Sequence, residues 1–128
     1  MPHTLPIRVY YEDTDMAGIV YYANYLRYIE RARSDWVRGL GIDQNAMKAQ
    51  GLVFAVRRVE ADYLMPARLD DELIVETEVV QVTGARLVMD QVVKRGKDRL
   101  FHAIVTVVVI TDTGHPARMP ANIRHMLH

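Results

Sequence analysis

Between Leu100 and Ile110 the chain reads Leu-Phe-His-Ala-Ile-Val-Thr-Val-Val-Val-Ile and is nearly all apolar through its second half. A strand that is apolar on both faces belongs inside a sheet and needs cover on both sides. Thr106 interrupts the run, which falls well short of the ~20 residues that span a bilayer. Cover on one side comes from an amphipathic helix. Leu26, Ile29, Arg33, Trp36, Val37 and Leu40 recur at helical offsets, while Arg27, Glu30, Arg31, Asp35 and Arg38 fall largely opposite. Asn24 is the expected N-cap, and Gly39 and Gly41 bracket the end. One helix covers one side, so the other is expected to meet a second subunit.

A strand is predicted over Ile7 to Tyr11, ahead of the polar, turn-prone run Glu12 to Gly18. A short helix capped by Asp43 and stopped by Gly51 follows the long one. From about Val53 the period becomes two: Val59, Ala61 and Tyr63 alternate with Arg58, Glu60 and Asp62. Pro66 interrupts, and Leu73, Val75, Thr77 and Val79 resume the alternation. Thr83-Gly84 reads as a hairpin turn, Arg86 to Lys94 as the returning strand, and Arg95-Gly96-Lys97-Asp98 as the next turn. Asp112-Thr113-Gly114 ends the last strand, and Pro116 and Pro120 keep the tail irregular before a turn of helix at Asn122 to Leu127. Strand, long helix, then four strands in meander is an α+β design. It fits a hotdog fold, an antiparallel sheet wrapped around one long central helix, although several α+β folds share this layout. There is no linker, repeat or low-complexity tract, and 128 residues make one domain over 1–128.

Sixteen basic residues balance sixteen acidic ones, which argues against a nucleic-acid partner. The absence of cysteine removes disulfides, thiolate metal sites and cysteine nucleophiles. The start, MPHTLPIRV, lacks the pattern of a secretory signal. A cytoplasmic chain without stable membrane insertion is therefore expected.

Chemistry concentrates between Tyr10 and Tyr25. Glu12, Asp13 and Asp15 crowd a loop between a strand and a helix, and Gly18 permits a tight turn. The first N–H groups of a helix have no intrahelical partner, and the dipole turns its positive end toward the loop. Such a place holds an ionised carboxylate and polarises a carbonyl oxygen. Acidic residues ahead of a helix are also ordinary capping partners, so the pattern leaves both readings open. Other nucleophiles are few, since Ser34 is the only serine and lies mid-helix. The five histidines show no metal-ligand spacing.

The run Asp13-Thr14-Asp15-x-x-Gly18-x-Val20-Tyr21-Tyr22-x-x-Tyr25, followed by Glu30-Arg31-Ala32-Arg33, closely resembles the signature of the 4-hydroxybenzoyl-CoA thioesterase family of hotdog proteins. Within it the chain looks most like the YbgC-type acyl-CoA thioesterases associated with the Tol-Pal system. The resemblance continues through Phe54-x-Val56-Arg57-Arg58, Tyr63-x-x-Pro66-Ala67-Arg68-Leu69-Asp70-Asp71 and Asp112-x-x-Gly114. It implies cofactor-free hydrolysis of a small acyl-CoA, short-chain aliphatic or aromatic, by a homotetramer of paired hotdogs. The catalytic aspartate falls on Asp15 and the oxyanion donor on the backbone N–H of Tyr22, with Gly18 and Val20 in the turn that places both. Many YbgC-type members carry histidine where this chain has Tyr22, so a backbone donor is kept and an imidazole is not. Asp15 would attack the thioester directly or act as base on water. Asp13 is expected to order the loop.

Tyr25 is a candidate for an acyl pocket or for packing, and Tyr28 for packing. The coenzyme A phosphates would need cations, for which Arg57 and the turn run with Lys94 and Lys97 rank first, ahead of Arg58 and Arg118. Glu30 is expected to pair with Arg27, Arg31 or Arg33 rather than to act on substrate. The competing reading is a non-catalytic acyl-CoA-binding or envelope-complex interaction module. A hotdog dehydratase is disfavoured, because no histidine lies between Thr4 and Phe101.

Overall fold

A computed structural model describes residues 2–128. The elements are β1 (His3–Arg8), a 3-10 turn (Tyr11–Asp13), α1 (Asn24–Gly39), α2 (Gln44–Ala49), β2 (Leu52–Tyr63), β3 (Glu72–Val82), β4 (Leu87–Arg95), β5 (Asp98–Thr111), β6 (Pro116–Ala117) and α3 (Ala121–Leu127). The antiparallel sheet runs β1-β3-β4-β5-β2, with β6 pairing β5. It wraps one face around α1, as the hotdog pattern requires. Among the described residues no helix is long and apolar enough to cross a membrane.

The strands are not a simple meander. β3, β4 and β5 are joined by hairpins, but β2 pairs with β5, from Leu52 opposite Thr111 to Tyr63 opposite Phe101. The hairpins give β5 a neighbour along one edge only, and the apolar Val53–Val56 stretch of β2 supplies the other. β1 lies earlier than the expected Ile7–Tyr11. It pairs with β3 only through Arg8, because Val9 N–H turns to the Asp71 carbonyl at 3.0 Å and draws the chain out of the ladder. Tyr11 consequently sits in the 3-10 turn.

α1 buries Tyr25, Tyr28, Ile29, Ala32 and Val37, with Trp36 and Leu40 partly covered. Leu26, expected on that face, is exposed; the two tyrosines fill the first turns in its place. Tyr25 stacks on Phe101 of β5 with centroids 5.0 Å apart and 11° between planes. α2 is capped as expected, the Asp43 carboxylate accepting from Ala46 N–H at 3.0 Å.

One polar line crosses the core. Gln91 is fully buried, donates to the Ile29 carbonyl (3.0 Å) and to Thr77 Oγ1 (2.9 Å), and accepts from the Arg33 guanidinium (3.0 Å). Tyr28 is equally buried, yet its hydroxyl has no partner of hydrogen-bonding geometry. Burial first, and the nearby Asp13 carboxylate second, push that phenol well above its ordinary value.

The opposite face of β5 is half-open. Ile104, Thr106, Val108 and Ile110 are partly exposed there, flanked by a His102–Asp90 contact at 3.0 Å and a Lys94–Glu76 ion pair at 2.9 Å. The two sheet edges also differ. β1 is short and carries Pro6, a protected edge. β2 is twelve residues long, and Arg57 to Tyr63 are exposed whichever way they point.

Removing a buried hydrogen-bonded group costs most when it orphans its partners. Gln91→Leu strands three groups and is expected to lower unfolding free energy by about 2–4 kcal/mol. Tyr28→Phe removes a hydroxyl that satisfies nothing and is expected to stay within about 1 kcal/mol of the parent. Denaturant melts of the two variants check both.

Candidate active site

Asp15 sits at the tip of a small hairpin between the 3-10 turn and α1. Tyr21 N–H donates to the Asp13 carbonyl (2.9 Å) and Asp15 N–H to the Ile19 carbonyl (2.9 Å). Gly18 closes the tip, its N–H reaching the Asp15 carbonyl at 3.0 Å with φ of +76°. A side chain would find open space at Gly18, so the backbone angle is what calls for glycine. One oxygen of the Asp15 carboxylate accepts from Ala17 N–H at 2.9 Å. The other has no partner among the described residues, and the group is exposed. Asp13 instead is buried. Its carboxylate accepts from Tyr10 N–H (2.9 Å), while its carbonyl also accepts from the Asn24 side chain (2.9 Å).

The return arm of the hairpin runs into α1. The N-cap is Ala23, not Asn24, and it provides no side-chain cap. Asn24 is already helical and its amide is committed to Asp13. Among the described residues the N–H groups of Tyr22, Ala23 and Tyr25 find no acceptor. A carboxylate with a free oxygen and a set of unpaired N–H groups thus belong to one short, doubly braced segment.

The bracing comes from the loop after β2. Val20 N–H donates to the Ala67 carbonyl at 2.8 Å, and Ile19 bridges Arg68. Ala67 N–H donates to the Tyr25 hydroxyl at 3.0 Å. Asp71 ties the loop, accepting from Arg68 N–H (2.8 Å) and from Arg95 (2.7 Å). Asp70 adopts φ of +68° between them. At the end of β2, the Tyr63 hydroxyl donates to the Tyr22 carbonyl at 3.0 Å. Tyr10, Tyr11, Met16, Tyr21 and Tyr22 stand exposed around this end, an apolar rim with polar tips.

The other expected site residues separate. Val20 and Tyr25 are buried and hold the hairpin. Lys94 is not free for a phosphate, since Glu76 engages it on the outer sheet face. Lys97 is exposed in the β4–β5 turn, beside Arg95, which contacts the Pro66 carbonyl at 3.3 Å and so lies at the Asp15 end. Arg57 is exposed midway along β2, as the extra residue of a bulge between Val56 and Arg58. Glu30 forms no ion pair among the described residues; it accepts from Ser34 Oγ at 3.0 Å because Arg33 turns inward to Gln91 and Arg31 lies over the Tyr28 ring. Glu30, Arg33 and Ser34 line a cavity of about 190 Å³ against Phe54, Val56 and Met89, and Asp15 is outside that lining. The roles of Tyr63 and Asp71 went unassigned in the sequence, although both lie in the run Tyr63-x-x-Pro66-Ala67-Arg68-Leu69-Asp70-Asp71.

The model of the Thioesterase-like superfamily matches residues 9–127. The acyl-CoA thioesterase YbgC of Haemophilus influenzae is 41% identical over 128 residues, covering 98% of this chain and 93% of its own length. The acyl-CoA thioester hydrolase YbgC of Escherichia coli O6:H1 is 40% identical over 107 residues, 84% of this chain and 80% of the relative. Among solved structures, a probable thioesterase from Bartonella henselae superposes with a TM-score of 0.87 at 36% identity, over 94% of this chain and 100% of that one.

The Asp71 clamp has an acid limit. Its partial burial raises the carboxyl, but Arg68 N–H and the Arg95 guanidinium outweigh that and hold it below the ordinary carboxylate value. The folded-state pKa is therefore the lower one. The stabilisation is complete above the ordinary carboxylate range of about 4 and is lost as pH falls through the folded value. Asp71→Asn is expected to destabilise at pH 7 and to flatten the loss of stability on acidification, as followed by denaturant midpoints across that range.

Proposed function

Since the chain belongs to the thioesterase-like superfamily, we propose that it is an acyl-CoA thioester hydrolase that works on a small acyl group, with Asp15 as the reacting carboxylate. The observation that carries this reading is the free Asp15 oxygen on the same braced hairpin as the unpaired N–H groups of Tyr22 and Ala23. A thioester carbon needs an attacking group, and its oxygen needs donors that are present before charge develops. Asp15 attacks the carbonyl carbon, the C–S bond breaks and coenzyme A leaves as the thiolate, which takes its proton from solvent. Water then cleaves the acyl-aspartyl anhydride and restores the carboxylate. In the alternative course Asp15 takes a proton from water, that water attacks, the C–S bond breaks and the departing thiolate receives the proton back. The Tyr22 N–H receives the carbonyl oxygen in either course. Gly18 and Val20 serve by fixing the hairpin, and no cofactor is required. Lys97 and Arg57 are the cations assigned to the coenzyme A phosphates.

The working unit in this reading is a homo-oligomer. Two surfaces support it: the bare edge of β2, with Val56, Val59 and Tyr63 exposed, and the half-open apolar face of β5. Unpaired edges of this length are normally covered. Pairing along β2 makes a dimer, and packing through the outer faces makes the tetramer.

Asp15→Asn is expected to reduce free-thiol release from short-chain and aromatic acyl-CoAs by at least about 10²-fold. A folded variant with unchanged turnover overturns the role of Asp15. Acyl-CoA binding without hydrolysis by the parent protein, at every chain length, would favour the binding-module reading instead. Val59→Asp, placed on the exposed part of β2, is expected to lower the mass measured by light scattering if β2 pairs between chains.

A further inference from the structure

The carbonyls at the start of α1 are accounted for one by one. The Tyr21 carbonyl accepts from Asn24 N–H at 2.8 Å and the Ala23 carbonyl from Leu26 N–H at 3.2 Å. The Tyr22 carbonyl has no backbone donor among the described residues, because Leu26 N–H goes to Ala23. Its donor is the hydroxyl of Tyr63, forty-one positions away in the chain, at 3.0 Å.

A trans peptide is planar, with its N–H directed opposite to its C=O. Holding the Tyr22 carbonyl therefore holds the Ala23 N–H, one of the groups without an acceptor. Hydrogen bonding at the oxygen also polarises the unit and strengthens its N–H as a donor. We propose that Tyr63 is a positioning residue for the thioester hydrolysis, fixing the Tyr22–Ala23 peptide so that the Ala23 N–H serves as a second oxyanion donor beside that of Tyr22. This rests on the thioesterase reading and adds a residue to it.

The surroundings of Tyr63 suit the task. Its ring packs edge-on against Phe101 (5.0 Å), Tyr25 (5.6 Å) and Tyr22 (6.1 Å), which sets the direction of the hydroxyl. Burial first, then the neighbouring Tyr22 and Tyr25, hold its phenol above the ordinary value, so it stays protonated as a donor. Tyr63 touches no reacting atom in this scheme; its effect passes through the peptide it holds.

Tyr63→Phe keeps the ring contacts and removes the donor. The expected result is a drop in kcat of roughly 3- to 30-fold with KM unchanged, since the lost interaction matters most when charge is on the oxygen. The melting temperature stays close to that of the parent. The backbone amide resonance of Ala23 shifts, while that of Gly18 in the hairpin tip does not. A kcat equal to the parent's, or a loss carried by KM alone with an unmoved Ala23 resonance, overturns the proposal. Asp15→Asn measured beside it separates the two claims. If Asp15→Asn abolishes turnover and Tyr63→Phe does not alter it, only the role of Tyr63 fails. If neither changes turnover, the role of Asp15 fails as well; the hydrolytic reading itself fails only if the parent protein shows no turnover.

Discussion

The structure depends on a helix that begins without a cap. Helices ordinarily start on Ser, Thr, Asp or Asn, whose side chains satisfy an otherwise unpaired N–H. α1 starts on Ala23, and the asparagine that follows gives its side chain to Asp13 instead. The N–H groups left over lie at one end of a sixteen-residue helix, where the dipole adds to their pull on an anion. A cap would stabilise the helix by about 1 kcal/mol and would occupy one of the N–H groups that the proposed function assigns to substrate. A local rule of helix formation is broken at the place where the proposed chemistry uses unpaired N–H groups.

That vacancy survives because distant segments hold its edges. The hairpin carrying Asp15 is braced by Ala67 and Arg68, that loop is tied by Asp71 to Arg95 of β4, and Ala67 donates to Tyr25 within α1. The fold thus closes a ring of contacts through α1, the loop after β2 and the end of β4. Tyr25 shows how tightly packing and site are joined. Its ring fills the core against Phe101 while its oxygen receives the N–H of the bracing loop. Burial raises its phenol above the ordinary value, which keeps the proton on an oxygen that also accepts.

What the sequence revealed follows from the range of the interactions. The offsets of Ile29, Trp36, Val37 and Leu40 announced α1, and the two-residue period of Leu73, Val75 and Thr77 announced β3, because both signals are local. The pairing of β2 with β5 was not legible as such, since it joins residues some forty to sixty positions apart with no turn to mark it. Asn24 looked like an N-cap by residue type, and only the competing claim of the Asp13 carbonyl displaced it. Asp15 and Gly18 stood out through their spacing and through resemblance to a known signature. Tyr63 opened one of the resembling runs, but nothing there marked a role for it: an aromatic residue at the end of a strand is ordinary, and its partner is a main-chain carbonyl. Lys94 looked free in a basic run until the sheet set it opposite Ile74 and diagonal to Glu76, which it reaches as an ion pair.

β2 links the two open features of the molecule. It is the bare edge of the sheet, and its last residue donates to the start of α1. Short of Tyr63, the strand from Arg57 onward lies exposed on both faces and is held only along β5. An edge strand held on one side moves more easily than one paired on both, because its local unfolding breaks fewer bonds. Pairing along that edge would therefore do more than bury Val56 and Val59. It would restrict the strand that carries Tyr63, and through the Tyr63 hydroxyl it would restrict the peptide at the head of α1. In the proposed oligomer, assembly and the orientation of that peptide are coupled through one strand, because the proposed site lies where the sheet is left open.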